Sequence, residues 1–484
     1  LSYALALVLF SPLLILISQV GDLTNPFRAE LFRVLQQTFL QASASSLAAL
    51  ILGLAGALGL VRVSSRVVRR GLETLVLLPS LLPTLFVLVA MLNLVTAFTR
   101  FPFGFLGVVL VHTVVNMGLV AVILSRRLES LGGPMIELAT VEGVSRLRLL
   151  FAVLGALRAD IGRLGFAIFA TCFTAVSAPL IVGAGRGETI EVLIYRAVIS
   201  RGDWSYGLSL AILQVGVVAL FSWMMPLPQL RESTSEVRNL SRLPVFAGLT
   251  VMLLITAVLV VGGFLNLGEG LGEFAKQPTL VLTWVSALAG TFAECFMVGA
   301  LSWLLLATMA YQYPHPWLHR VVAAVVAPSA AVMALALFVV FDAQSAPKPL
   351  VLFVISLGFA VLVWPALYRF RLESRLAELE PQIQVARVLG ASRWRIFFRV
   401  VRPQIKSDLG FLAGVSALWA SGDFVLASLV AGRELTLGIA AQGFLGGYRL
   451  GLAAVMTLSS LVVGLMVYAI FVGRSEWSDQ KLIS

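Results

Sequence analysis

Few side chains in this 484-residue chain could do chemistry, and their spacing excludes most of it. The four lysines, Lys276, Lys348, Lys406 and Lys481, follow Ala, Pro, Ile and Gln. No Gly-Lys-Ser/Thr loop exists to cradle a nucleotide phosphate, so the chain is not expected to be an enzyme with its own ATPase site. His112, His315, His319, Cys172 and Cys295 have no catalytic or metal-ligand spacing, so neither a metal nor a resident cofactor is expected. More telling are polar groups inside apolar runs: Glu294 in GTFAECFMVG, Asp423 in WASGDFVLASLVAGRE, and His112 and Asn116 one turn apart in VLVHTVVNMG. An ionisable group at the centre of a membrane helix costs roughly 2.5–3.5 kcal/mol on insertion scales. These four are therefore candidates for a substrate pathway, with interhelical hydrogen bonding as the competing role.

The other unusual stretch is GASRWRIFFRVVRP, residues 390–403, which sets four arginines and a proline between long apolar segments. Gly390 supplies a turn, or a close approach that a Cβ would block. Ser392 is placed to cap a short following helix, and Pro403 to stop it. GVSRLRLLFAVL at 143–154 is a second version of the phrase. Moving Ala139, Gly143, Ser145, Arg146, Arg148, Phe151 and Val153 by 247 positions lands on Ala386, Gly390, Ser392, Arg393, Arg395, Phe398 and Val400. Contact with anionic lipid explains the arginines of one such segment, but not the same residues at one spacing in two.

The elements that must position these residues are membrane helices. The chain is 59% hydrophobic and only 12% charged, where soluble domains carry about 25% charged residues. Its net charge of +11 is read as basic residues in cytoplasmic loops, not as a nucleic-acid surface. Spans are expected near 2–20, 39–61, 74–98, 104–125, 164–184, 207–226, 243–265, 280–309, 321–341, 349–368, 409–431 and 451–472. The first, LSYALALVLFSPLLILISQV, lacks a basic start and a cleavage site and is expected to be retained. Placing both termini in the cytoplasm puts 25 of the 35 lysines and arginines inside, which favours that orientation. The expected fold is thus an all-α integral membrane protein of about twelve spans in two parallel six-helix repeats. The first half is 1–230 with a long loop at 126–163, the linker is 231–242, and the second half is 243–484 with a long loop at 369–408.

These long loops resemble the signature of type I ABC importer permeases, E-A-A, three residues, G, then nine, then I-x-L-P. Glu137, Ala139 and Gly143 match in the first copy, where Ala156 replaces the proline. Ala386, Gly390 and Pro403 match in the second, where Gln384 replaces the glutamate. The resemblance implies coupling helices that dock into two copies of a cytoplasmic ABC ATPase. ATP and Mg would then be held by that partner, and a periplasmic binding protein would deliver the cargo to a permease in the bacterial inner membrane. GAGRGETIEVLIYRAV (183–198) and SGDFVLASLVAGRELTL (421–437) are similar to regions of fused thiamine transporter permeases, with Thr189, Ile190, Glu191, Ile194 and Tyr195 carrying the first match. Ferric-iron permeases share the architecture. The acids expected on the periplasmic side, Glu30, Glu188, Glu191, Asp203 and Glu273 among them, are candidates to hold the binding protein. A major facilitator is the more distant alternative, but its signature aspartate is missing from GLVRVSSRVVRRG at 59–71.

Overall fold

The computed structural model describes residues 2–19, 23–185, 188–224, 247–324, 329–343, 345–431 and 435–483. Side chains are described throughout except at 131–140, 146, 221–224, 316, 320, 323–324 and 474–483. The expected linker, 231–242, lies outside the described residues. Every regular element among those described is helical. The chain runs through α1 (Ser2–Ser18), α2 (Ala29–Leu60), α3 (Arg66–Leu81), α4 (Thr84–Thr96), α5 (Phe105–Val141), α6 (Arg146–Phe173), α7 (Ser177–Val182), α8 (Ile190–Ile199) and α9 (Trp204–Met224). It continues as α10 (Gly248–Phe264), α11 (Leu267–Lys276), α12 (Pro278–Tyr311), α13 (Pro316–Ala324), α14 (Ala330–Val340), α15 (Lys348–Leu367) and α16 (Glu373–Val388). Last come α17 (Arg393–Ile396), α18 (Arg402–Ala420), α19 (Val425–Ala431), α20 (Leu437–Gly446) and α21 (Leu450–Ile483).

The 247-residue spacing reappears in the element bounds. Moved by 247, the end of α5 falls on Val388 at the end of α16, and the starts of α6 and α8 fall on Arg393 and Leu437. Packing follows the same pattern: α2 lies on α5 and α6 as α12 lies on α15 and α18, and α8 lies on α9 as α20 lies on α21. The first helix of each set crosses over. α1 packs on α14, and α10 packs on α4.

Among the described residues, six helices are long and apolar enough to cross a bilayer, and two bent pairs raise the number to eight. The expected spans at 2–20, 164–184, 207–226 and 321–341 fall instead on shorter or interrupted helices. The bends have local causes. Leu82, held extended (φ −67°, ψ 147°) before Pro83, turns α3 into α4 through 93°. Between α18 and α19 the chain bends by 63°, and the Asp423 carboxylate accepts the N–H groups of Leu426 and Ala427 at 3.4 and 3.2 Å. Backbone donors exposed by a break in lipid have to be satisfied by protein, and here an acid does so. Gly422 lies so close to Pro83 that a Cβ there would come within 2.4 Å of the proline Cβ. The two bent spans therefore touch at their breaks.

A polar tie secures the α4–α10 crossing. Asn266, in the left-handed region at φ +61°, turns α10 into α11. Its amide donates to Asn93 Oδ1 at 3.1 Å, while buried Asn93 donates to the carbonyls of Leu265 (3.2 Å) and Gly262 (3.4 Å). Replacing Asn93 by Ala leaves buried partners unpaired and is expected to cost about 1–3 kcal/mol. A lowered thermal midpoint in detergent, relative to an exposed control such as Thr99→Ala, checks this; an unchanged midpoint would contradict the tie.

Candidate functional site

Two places hold the residues singled out by sequence. The first is a hairpin tip. The stretch around Gly390 is not a loop lying beside the spans, because α15 runs into α16 through a π-helical turn at Tyr368–Leu372, and α17 runs into α18 through another at Phe397–Val401. Abundant Glu, Ala, Leu and Arg keep this polar stretch helical. Pro403 does not stop the second helix as expected. It sits in the first turn of α18, just past the π-turn, where a missing N–H is tolerated.

The turn itself is a full Schellman motif. Ala391 N–H donates to Ala386 O at 3.0 Å and Gly390 N–H to Arg387 O at 2.9 Å. Gly390 has φ +76°, and no atom lies within 4 Å of where its Cβ would be. Of the two reasons for a glycine, the turn is the operative one. Gly143 has φ +66° and the same open surroundings. Ser392 accepts from Arg395 N–H at 3.4 Å, as the expected cap of α17; Ser145 has an extended backbone before α6 but makes no such bond.

Gln384, Ser392, Arg393, Arg395 and Pro403 are exposed, as are Ser145 and Arg148; Ala386 is half-buried. Glu137, Ala139 and Arg146 have helical backbone, and their side chains lie outside the described ones. What the motif did not announce is apolar exposure. Val388 (87%), Leu389 (79%) and Trp394 (63%) stand out at one tip, and Val141 (86%), Leu147 (62%) and Phe151 (70%) at the other. Such patches mark sites of contact with a protein or a membrane surface. Aromatic contacts brace the second tip: Trp394 stacks near Phe398 at 4.2 Å, and Phe397 meets Tyr311, the last residue of α12, edge-on at 5.6 Å.

The root of this hairpin is clamped. Buried Asp408 on α18 accepts Arg371 at 2.5 Å and Arg375 at 3.4 Å, the two arginines coming from the π-turn and α16. No local spacing could have found this, since the partners lie more than thirty residues apart. The first half has a different anchor, in which buried Arg69 pairs with Glu73 at 3.0 Å and with Glu129.

The second place is buried. Glu294 is fully enclosed on α12, and neither of its oxygens has a hydrogen-bond partner. Asp423 is half-buried, and each of its two oxygens accepts one backbone N–H at the start of α19. Asn116 donates to His112 O at 2.8 Å, inside its own helix, and approaches Cys172 Sγ at 3.8 Å; the His112 ring nitrogens are buried without partners. No described hydrogen bond or ion pair joins His112 or Asn116 to the two acids.

Five of the acids expected on the periplasmic side have partners within the chain. Asp203 pairs with Arg28 (2.8 Å), Glu30 with Arg201 (2.7 Å), Glu188 with Arg196 (2.8 Å) and Glu273 with Arg449 (2.6 Å). The Arg28 guanidinium holds the Asp203 carboxyl below the usual carboxylate range. Glu191 is wholly buried and accepts from Gln214. The charges of Asp203, Glu30, Glu188 and Glu273 are thus matched within the chain.

Residues 304–473 match the family model described as binding-protein-dependent transport system inner membrane component. The match begins in α12, takes in the hairpin of Gly390 and ends in α21, and over it the helical fold is that of a type I ABC importer permease domain. Comparison with curated proteins and with solved structures finds no match.

Asp408→Asn is expected to loosen the hairpin root. Discounting for the half-exposed arginines, the loss is about 1–2 kcal/mol. Amide hydrogen exchange should quicken across 373–401 and stay unchanged in α2; equal exchange in both segments would rule the clamp out.

Proposed function

We propose that this chain is the membrane-spanning subunit of an ATP-driven importer, with both halves on one polypeptide. The observation that carries this reading is the match to the permease family over the segment that builds the Gly390 hairpin, whose glycine turn displays an apolar ridge and two arginines. The recurrence of Gly143 and Gly390 with positive φ, and of the elements around them, supports a second docking tip in the first half. The family description supports a partner that binds ATP and a binding protein that supplies cargo.

In this reading two ATPase subunits close on ATP and pull the tips at 141–151 and 384–398. The Schellman turn keeps the tip rigid, and the Asp408 clamp joins the two legs of the hairpin. Phe397 and Trp394 pass the displacement to Tyr311 and so to α12. Only contacts that differ between two states can shift an equilibrium, and the docked tips supply such contacts. The membrane is the cell inner membrane, with both termini in the cytoplasm. The cargo we favour is thiamine or a thiamine-like compound, on the resemblance of 183–198 and 421–437; ferric iron is the competing cargo.

Gly390→Trp tests the docking tip cleanly. Nothing inside the chain lies near the new side chain, so the internal cost is the left-handed backbone, about 1–2 kcal/mol. Membrane insertion should persist while uptake and stimulated ATP hydrolysis are lost; coupled uptake by this variant would refute the assignment. Gly143→Trp should show a similar loss. Arg393→Ala with Arg395→Ala should abolish co-purification of the ATPase, whereas retained co-purification would assign these arginines to the lipid surface. Labelled thiamine and labelled ferric iron, given in parallel to cells with and without this gene, decide the cargo.

A further inference from the structure

Where α1 crosses onto α14, the helices leave a cavity of about 350 Å³ beside α9. Leu16, Leu208 and Leu335 form its buried floor, and Trp204 stacks on Phe338 at 4.0 Å as one wall. Gln19 and Ser205 are polar, and no charged side chain is found among the described lining. Such a lining holds water poorly, because a buried water needs two to four polar partners. It offers no charge to an ionic cargo either.

The depth of the cavity follows from where its helices end. α1 and α14 finish there, and α9 begins with Trp204 directly after Asp203, which pairs with Arg28. Apolar side chains, then a tryptophan, then an ion pair is the order in which a bilayer gives way to water. The mouth therefore lies at hydrocarbon depth, just beneath one surface of the membrane.

A second crossing in the same molecule shows what such a seam requires. α10 lies on α4 as α1 lies on α14, and moving Trp204 and Leu208 by 247 positions gives Gly451 and Val455 on α21. There α11 covers the seam: a Cβ on Gly270 would stand 2.1 Å from Gly451 O and 2.9 Å from a Val455 methyl. Met91 and Leu92, at the positions of Phe338 and Val339, are 8% and 5% exposed, against 40% and 39%. After α1 no such cover exists among the described residues. Residues 23–28 form no helix, and Thr24 N–H is held by Ser209 Oγ at 3.0 Å. Trp204 also fills part of the place that Gly451 leaves to the α11 backbone.

We propose that the acyl chain of a membrane phospholipid fills this cavity and takes the part that α11 takes at the other crossing. An empty space would cost its lining the dispersion contacts that a packed neighbour provides, and at that depth the bilayer presents acyl chains. The volume holds about a dozen groups of the ~30 Å³ of a water molecule, on the scale of one chain. The lipid is thus a structural ligand at the junction of α1 with α14, and its binding needs neither ATP nor a partner protein.

The full chain, purified in detergent and washed extensively, is examined by native mass spectrometry with identification of the bound lipid. It should retain a phospholipid. Ser205→Trp on α9 and Val339→Trp on α14 each fill the cavity from a different wall, so one remains informative if the other fails to fold by size-exclusion profile. Either should lower the retained phospholipid at least about tenfold, since the loss of two buried methylenes already costs about that factor. In nanodiscs, a phospholipid with a diazirine on its acyl chain should label 204–208 and 335–339 on illumination, and about tenfold less in the filled variants. No retained phospholipid, a detergent or free fatty acid in its place, or retention and labelling unchanged in a folded filled variant would overturn the proposal.

Discussion

A helix that breaks inside a bilayer leaves N–H and C=O groups that lipid cannot pair, and the architecture of this chain is arranged around meeting that demand. Asp423 takes two donors at the start of α19; Thr189, Ser329 and Thr436 each take one at the starts of α8, α14 and α20. Thr38 and Thr291 accept the N–H groups of Ile190 and Leu437 from across the bundle, so α2 and α12 each finish the capping of a short helix. With its breaks satisfied by protein, the molecule can afford bent spans. Those bends bring Gly422 against Pro83.

The same demand explains which features were legible in the sequence. The Gly143 and Gly390 turns were readable because one glycine fixes a local backbone state, and Ser392 because a cap acts over three residues. Pro403 misled because its effect depends on the π-turn before it, a widening that nothing in RWRIFFRVVRP announces. Hydropathy found the long helices but ran through Leu82–Pro83 and Ser421–Asp423, since a window average does not register a bend between two apolar pieces. The Arg371–Asp408–Arg375 clamp, the Asn93–Asn266 tie and the pairing of Glu30, Glu188, Asp203 and Glu273 join residues far apart in the chain or across the fold. They are products of folding and could only be met there.

Around the two glycine tips the element bounds agree at a spacing of 247 residues, but the detail differs. The first tip grows from an unbroken α5 and is anchored by Arg69 with two glutamates; the second has a π-turn in each leg and an aspartate between two arginines. π-turns are looser than α-helix and gather at working parts of proteins. Glu294 and Asp423 also lie in the second half, with leucine and valine at the positions 247 residues earlier. The second half thus holds the more deformable lever.

The crossing of α1 onto α14 has a consequence for how the protein comes to exist. Residues 2–18 are made well before the helix they pack against, 330–340, which follows more than three hundred residues later. At ordinary synthesis speeds of about 5–20 residues per second, α1 waits roughly 15–60 s with its partner unmade. During that interval only lipid, or the insertion machinery, covers the face that α14 will take. The order of translation therefore leaves the new chain open along one side until α14 is made, and a nascent chain halted before α14 should be an easier target for quality-control proteases than one halted after it.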